Sequence, residues 1–421
     1  MNVMPAISEQ YLASRHYEAD VTCVDCHGAE EGDPDAFEHN RQLISLVVTP
    51  QDCGKCHEEA VAEFYRSSHA RARELVTTGV GAYFLNHLEG SQHLPDSAKY
   101  AAGANACYRC HGSAVEIGED GRPTPATWPS AGIGRLNPDG SVGNCAACHQ
   151  RHDFSVAQAR QPESCATCHN AAGGDPQIEA YEMSRHGTTY RAKLDRMNLA
   201  SPEWVVGQDY VAAPTCATCH MSAARGLPAT HDINQRLDWT ALLQGTNTLA
   251  TQEKCGLPAE VQPVAYEQPP VDPEHRDNMT RVCRSCHSSS LVDNFLAQYE
   301  GEARITDEKW LQPGKKLFQL ATKVLQAAEG DGYEFLNHPI DFVWFGMCAD
   351  DANSAHTGAA MVAGGTVEIG NGGLAAAWYS SFMPSIEGII DQYKDSEGAL
   401  KQAVDDLAAY YEALRTSPEY H

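Results

Sequence analysis

Seven pentapeptides of one type dominate this 421-residue chain. They are Cys23-Val-Asp-Cys26-His27, Cys53-Gly-Lys-Cys56-His57, Cys107-Tyr-Arg-Cys110-His111, Cys145-Ala-Ala-Cys148-His149, Cys165-Ala-Thr-Cys168-His169, Cys216-Ala-Thr-Cys219-His220 and Cys283-Arg-Ser-Cys286-His287. With 16 Cys and 19 His in the sequence, random placement gives roughly 0.03 such strings from the product of the residue frequencies. In each string two thiols are followed directly by an imidazole. Two thiols at this spacing can add to the two vinyl groups of one porphyrin, and the adjoining imidazole can then hold the iron from one side. Structural zinc needs paired C-x-x-C units or downstream histidines, and does not require a His after every second Cys. The strings therefore read as haem c, seven per chain. The fourteen cysteines named above are the attachment residues, and His27, His57, His111, His149, His169, His220 and His287 are the proximal iron ligands.

Haem c is attached outside the cytoplasm, so the expected compartment is the periplasm or an extracellular space. Seven reactive C-x-x-C pairs would have no explanation in a reducing cytosol. Residues 1–11 lack a basic start followed by an apolar core, so the numbering is expected to begin near a mature N-terminus or after a trimmed leader. Thirty Lys and Arg against 56 Asp and Glu give 30 − 56 = −26, and about two propionates per haem deepen the negative charge. That balance excludes nucleic acid and anionic membrane surfaces as partners of the bulk surface. The longest uncharged stretch, residues 369–386, contains Asn371, Pro384 and three serines, so no transmembrane span is expected.

Twelve histidines remain for the distal side of seven irons: His16, His39, His69, His87, His93, His152, His186, His231, His275, His338, His356 and His421. A low-spin relay haem takes a second strong ligand, whereas a catalytic haem keeps one position open. Counting alone leaves both arrangements available.

The elements that must position these groups are short. Unequal intervals between the strings argue against a tandem repeat. One haem per roughly 60 residues leaves little room for an ordinary core, so the macrocycles must supply much of the apolar interior. The expected fold is mainly α: short helices and loops wrapped around stacked haems, with few strands and a C-terminal helical part. Residues 1–290 carry every string and are read as the haem-binding domain; residues 291–421 are read as the helical one. Residues 121–143 and 259–273 are rich in Gly or Pro and read as a loop and a connector. Leu317, Leu320, Ala321, Val324 and Ala328 keep one helical face, with Gly330 as a stop. Leu400, Val404, Leu407, Tyr411 and Leu414 make a second amphipathic helix.

Between the strings, ordered blocks carry a further signal. Cys145-Ala-Ala-Cys-His-Gln-Arg-His152-Asp-Phe-Ser, Glu179-Ala-Tyr-Glu-Met-Ser-Arg-His186-Gly, Ala213-Pro-Thr-Cys-Ala-Thr-Cys-His-Met221 with His231-Asp-Ile-Asn, and Ala355-His356-Thr-Gly-Ala-Ala-Met-Val-Ala-Gly-Gly365 resemble the hydroxylamine oxidoreductase family of octahaem cytochromes. The likeness is dense over 145–235, recognisable over 20–290 and patchy beyond. It implies a mainly helical multihaem protomer, commonly a homotrimer. It also implies distal ligands at His39, His69, His152, His186, His231 and His356, with the Cys107–His111 haem matching the family's catalytic haem.

The chain departs from that family in three ways. Only 22 residues precede Cys23, so the family's upstream haem is either lost or truncated away. Glu368 stands where oxidisers place a cross-linking tyrosine. Asp175, in Gly173-Gly-Asp175-Pro176, stands where they place an Asp-His pair. Loss of the tyrosine resembles the reductive branch. That branch delivers electrons to nitrite or hydroxylamine, with a partner cytochrome or quinol dehydrogenase as electron source. Asp175 and Glu368 are then the candidate catalytic proton donors. The other reading is a non-catalytic conduit or complex subunit with all seven irons capped, His87 or His93 closing the last. Cys255 and Cys348 are left over. They read as buried thiols or one disulfide, or, by likeness to octahaem sulfite reductases, as a copper site.

Overall fold

A computed structural model describes residues 4–77, 107–171, 176–237, 255–257 and 272–418. The chain divides into two units. The first comprises Met1–Cys168, Thr189–Asp238 and Asp272–His287; the second comprises His169–Thr188, Trp239–Val271 and Ser288–His421.

In the first unit the pentapeptides themselves seed the helical turns. Cys23–His27, Cys107–His111 and Cys216–His220 are each one short helix. Thr22 and Asp25 form a capping box around the first, Thr49 and Asp52 around Pro50–Gly54, and Thr215 and Thr218 around the Cys216 turn. The backbone N–H of Thr22 donates to Asp25 Oδ2 at 2.6 Å, and that of Thr49 to Asp52 Oδ2 at 2.9 Å. Such caps satisfy amide groups that so short a helix would otherwise leave unbonded. The N–H of the histidine donates to the carbonyl of the first cysteine in three strings: His57 to Cys53 at 2.9 Å, His149 to Cys145 at 3.0 Å and His287 to Cys283 at 3.0 Å. One turn thus brings both thiols and the imidazole together.

Among the described residues a single hairpin supplies the strands. Ala36–His39 (β1) pairs antiparallel with Gln42–Ser45 (β2), His39 opposite Gln42. Asn40 and Arg41 turn the chain with φ of +50° and +65°, the left-handed pair a tight two-residue hairpin needs. The stretch 121–143 is irregular, as its composition predicts.

The second unit is helical throughout its described part. Its helices are Gln177–Met183 (α1), Ser289–Thr306 (α2), Gln312–Glu329 (α3), Pro339–Phe345 (α4), Ala352–Ala360 (α5), Gly364–Ala377 (α6), Met383–Tyr393 (α7) and Gly398–Arg415 (α8). A π-helical turn joins α2 to α3 (Asp307–Leu311), α4 to α5 (Gly346–Asp351) and α6 to α7 (Trp378–Phe382). Each wide turn inserts a residue and re-phases the apolar face of a long helix. The two stripes expected from the sequence meet: α3 buries Leu317, Leu320, Ala321 and Val324 and packs on α8, which buries Val404, Leu407 and Leu414. Gly330 ends α3 with φ of +58°. Gly370 lets α6 cross α5 closely, since a Cβ there would lie 2.4 Å from the Ala355 nitrogen. The fold is mainly α, as expected. Among the described residues no helix is long and apolar enough to cross a membrane.

Candidate haem-binding and electron-transfer site

The cysteines fall into two populations. Fourteen, all in the C-x-x-C-H strings, form no disulfide; eleven are half-buried and three, Cys23, Cys56 and Cys286, are exposed. Cysteine is ordinarily among the most buried residues, so accessible thiols in such number are suited to an external reactant. The other two behave oppositely. Cys255 and Cys348 are buried and bonded to each other, with Trp344 Nε1 donating to the Cys255 carbonyl at 2.7 Å. Of the readings left open for this pair, the disulfide is the one observed. It consumes both thiolates that a copper ion would require.

Two of the string histidines are held from behind. His27 Nδ1 donates to the Ser45 carbonyl at 2.9 Å, and His111 Nδ1 to the Ala72 carbonyl at 2.8 Å. A carbonyl can only accept, so the proton sits on Nδ1 and Nε2 keeps its lone pair for a metal. Ser45 is itself fixed, its hydroxyl bonding to the buried Asp35.

Among the described residues, imidazoles of the first unit come together in pairs. The ring centres of His27 and His152 are 6.5 Å apart, those of His57 and His16 6.1 Å, and those of His149 and His231 6.3 Å. Two axial bonds of about 2 Å plus roughly 1.1 Å from nitrogen to ring centre on each side require about 6 Å. The spacing fits one iron between each pair. Burial, and then the facing His57, lowers the proton affinity of His16; burial and then His27 does the same at His152. His149 is pushed down to about 4 by burial, then by His231. His149 is therefore neutral at physiological pH, and His16 and His152 are biased toward the same neutral form that ligation demands. Glu63 positions His231, accepting its backbone N–H at 2.8 Å.

The thiols also make a series. Cys53 and Cys145 share a hydrogen bond that raises the first and lowers the second. Cys165 is raised chiefly by a hydrogen bond with Cys216. Burial, then Cys165 and Cys168, lifts Cys148 to about 12; burial, then Cys283, does the same to Cys219. Burial, then Cys53, raises Cys26. These proton affinities end once the sulfurs become thioethers, but the neighbour relations remain. The strings that begin at Cys23, Cys53, Cys145, Cys165, Cys216 and Cys283 follow one another in space. The Cys107 string is a branch: Cys110 Sγ lies 3.9 Å from the Thr167 carbonyl, beside Cys168. Among the described residues no group of three or more His, Cys, Asp or Glu is arranged to hold a bare metal ion. The donor set, two thiols followed by an imidazole that is directed at the Cys23 and Cys107 turns, fits a covalently bound haem.

The remaining expected ligands are scattered. His69 is half-buried on the turn Ser68–Arg71, and His186 is half-buried on the helix Arg185–Ala192. His356 is fully buried on α5, its Nε2 3.5 Å from Asp307 Oδ1. His39 is exposed at the hairpin turn, and Asn40 Nδ2 lies 3.0 Å from its Nε2; no imidazole faces it among the described residues. His16 was absent from the ligand set implied by resemblance, because Ser14-Arg15-His16 matches none of the quoted blocks. Only the fold brings it to His57. Glu368 is exposed on α6. Two acids nearby in sequence are Asp350, at the surface, and Asp351, half-buried; partial burial, then Asp350, raises Asp351 to about 6. Asp175, His87 and His93 lie outside the described residues.

Comparison with known proteins points the same way. Residues 139–319 match a family profile described as a seven times multi-haem cytochrome with C-x-x-C-H, and residues 52–131 match one for cytochrome c554 and c-prime. A probable nitrite reductase-hydroxylamine oxidoreductase fusion protein of Kuenenia stuttgartiensis is 28% identical over 329 residues, covering 62% of this chain and 36% of the relative. The chain thus spans about a third of that protein's length. Among solved structures, a hypothetical multihaem protein superposes with a TM-score of 0.68 at 21% identity, covering 99% of this chain and 94% of its own. A reducing HAO-like protein complex of Kuenenia stuttgartiensis gives 0.62 at 18% identity, covering 97% and 84%. At these identities the structural likeness concerns the fold alone.

Proposed function

We propose that the chain is an extracytoplasmic seven-haem c-type cytochrome that moves electrons along the thiol series and delivers them to the branch at Cys107–His111. The observation that carries this reading is the continuity of the attachment sulfurs. Haems bonded along the series would meet where attachment sulfurs are neighbours, as Cys53 and Cys145 and Cys165 and Cys216 are. Bound haem would supply one-electron chemistry; the polypeptide sets its coordination and spacing. His152, His16 and His231 would cap the irons held by His27, His57 and His149. His69, His186 and His356 are the remaining distal ligands by resemblance, and His39 the least supported.

A redox partner cytochrome or quinol dehydrogenase would feed the series. At the branch, a small nitrogen oxyanion or hydroxylamine would be reduced, with Asp175 and Glu368 as the proposed proton donors. The named activities of the Kuenenia relative favour this substrate class, as does the position of the Cys107 site at the end of a branch. Trimeric assembly belongs to the same proposal by resemblance.

The test is the spin state of the loaded protein. One high-spin haem in seven that shifts on adding nitrite or cyanide supports reduction at the branch. Seven low-spin haems, inert to both, leave the relay and remove the catalytic step. A mass short of apoprotein plus seven haems would overturn the relay itself.

A further inference from the structure

Arg135 is only 1% exposed, and every hydrogen bond it donates goes to a neutral acceptor. Nε bonds to Asn137 Oδ1 at 2.6 Å, Nη1 to the Ser130 carbonyl at 3.3 Å and Nη2 to the Val48 carbonyl at 2.8 Å. No carboxylate among the described residues pairs with it within 4 Å, although acids outnumber bases by 26. Burying a guanidinium without a counter-charge is costly, so its location calls for a cause.

The bonds converge on two haem-attachment turns. Val48 immediately precedes Thr49, the cap of the turn that carries Cys53. On the other side the Arg135 carbonyl accepts from Gly143 N–H at 2.7 Å, and Asn137 Nδ2 donates to the Gly143 carbonyl at 3.0 Å. Gly143 stands two residues before Cys145, with φ of +124°, and a Cβ there would lie 2.4 Å from the Phe64 ring. The guanidinium is thus locked between the Cys53 and Cys145 turns, whose thiols share a hydrogen bond. Trp128 lies against it, with the Arg135 guanidinium 5.5 Å from the ring centre. Its charge is felt at the junction: Cys145 is lowered by its hydrogen bond with Cys53 and then by Arg135. Arg135 itself is lowered to about 10 by burial and then by Arg151, so it stays cationic at neutral pH.

We infer that Arg135 is a fixed cation that raises the reduction potentials of the two haems attached at Cys53–Cys56 and Cys145–Cys148, making their junction a resting place for an electron on the relay. Reduction adds one electron to an iron and, at this site, breaks no bond. A cation held in a low-dielectric interior stabilises that added charge far more than a solvated one would. The electron arrives from the redox partner through the neighbouring haem and leaves to the next. Arg135 acts here by field and position and touches no substrate.

The inference rests on the relay reading, and one experiment separates the two. The fully haem-loaded protein and its Arg135→Gln, Arg135→Lys and Asn137→Asp variants are titrated by spectroelectrochemistry after mass spectrometry has counted their haems. With seven haems retained, Arg135→Gln is expected to move two transitions to lower potential and leave the others in place. Arg135→Lys, which keeps the charge, should stay near wild type. Asn137→Asp, which leaves the guanidinium but neutralises it, should reproduce the downward shift even if the Gln variant fails to fold. Unmoved transitions in Asn137→Asp, or an equal shift in Lys and Gln, would overturn the inference. Wild-type protein lacking haem at these two turns would instead overturn the relay reading.

Discussion

The largest buried side chains show how differently the units are built. Among the largest fully buried side chains, those of the second unit, such as Trp344, Trp378, Phe318 and Phe382, are all apolar or aromatic, whereas in the first Arg135 and Arg236 stand beside Trp204 and Met197. The second unit folds as helical proteins ordinarily do, by burying apolar stripes against each other, with α3 on α8 as the clearest case. The first unit buries serines, threonines, asparagines and arginines around its turns and keeps its thiols accessible. Its polypeptide has the polar interior expected of a chain whose apolar mass is to come from a bound group. The cysteines follow the same division: the proposed attachment residues, fourteen thiols outside any disulfide, in one unit, and a buried disulfide in the other.

That contrast can be broken by removing what each unit depends on. The largest effect is expected from Cys145→Ser with Cys148→Ser. One haem of seven should be lost by mass and absorbance, electron flow through the series should fall by orders of magnitude in stopped-flow reduction, and the first unit should lose cooperative melting. Retention of full electron flow would mean that the thiol series is not the route. Next, Cys255→Ser with Cys348→Ser should cost about 2–5 kcal/mol in denaturant unfolding of the second unit, while all seven haems stay attached. A drop in haem content would deny the division of labour. Leu407→Ala, in the fully buried α8 stripe, should cost about 2–5 kcal/mol by the same measurement, with haem spectra unchanged.

Smaller effects sharpen the comparison. His16→Ala should convert one low-spin haem to high-spin by electron paramagnetic resonance, with little change in melting. An unchanged spectrum would remove His16 from the ligand set. Asp351 gives a pH signature confined to the second unit. Its folded proton affinity is raised to about 6 above an ordinary aspartate value of about 3.9. The folded state therefore holds the proton more tightly than the unfolded one. Its contribution is fully present below about pH 4 and is lost as the pH rises through about 6. Asp351→Asn should raise stability at pH 7 and flatten the slope between those values, an effect on the order of 1 kcal/mol for a half-exposed group screened by water. A variant with the wild-type slope would place the pH dependence elsewhere.

The sequence alone determined the chemistry with the strongest local code. A C-x-x-C-H string needs only one helical turn to present its donors, and the caps at Thr22, Thr49 and Thr215 are written beside it, so attachment could be read residue by residue. The stripes ending at Gly330 and Leu414 were legible for the same reason: helical periodicity is local. What only the tertiary structure decided was pairing over distance. His16 meets His57, Cys53 meets Cys145, the Cys107 string branches toward Thr167, and Arg135, ten residues before Cys145, reaches Val48 beside the distant Cys53 turn. Cys255 bonds Cys348 across 93 residues, a choice that leftover cysteines could not reveal. Short-range spacing fixes which groups one turn presents, whereas the partner of each group depends on how loops close, and no single segment carries that information.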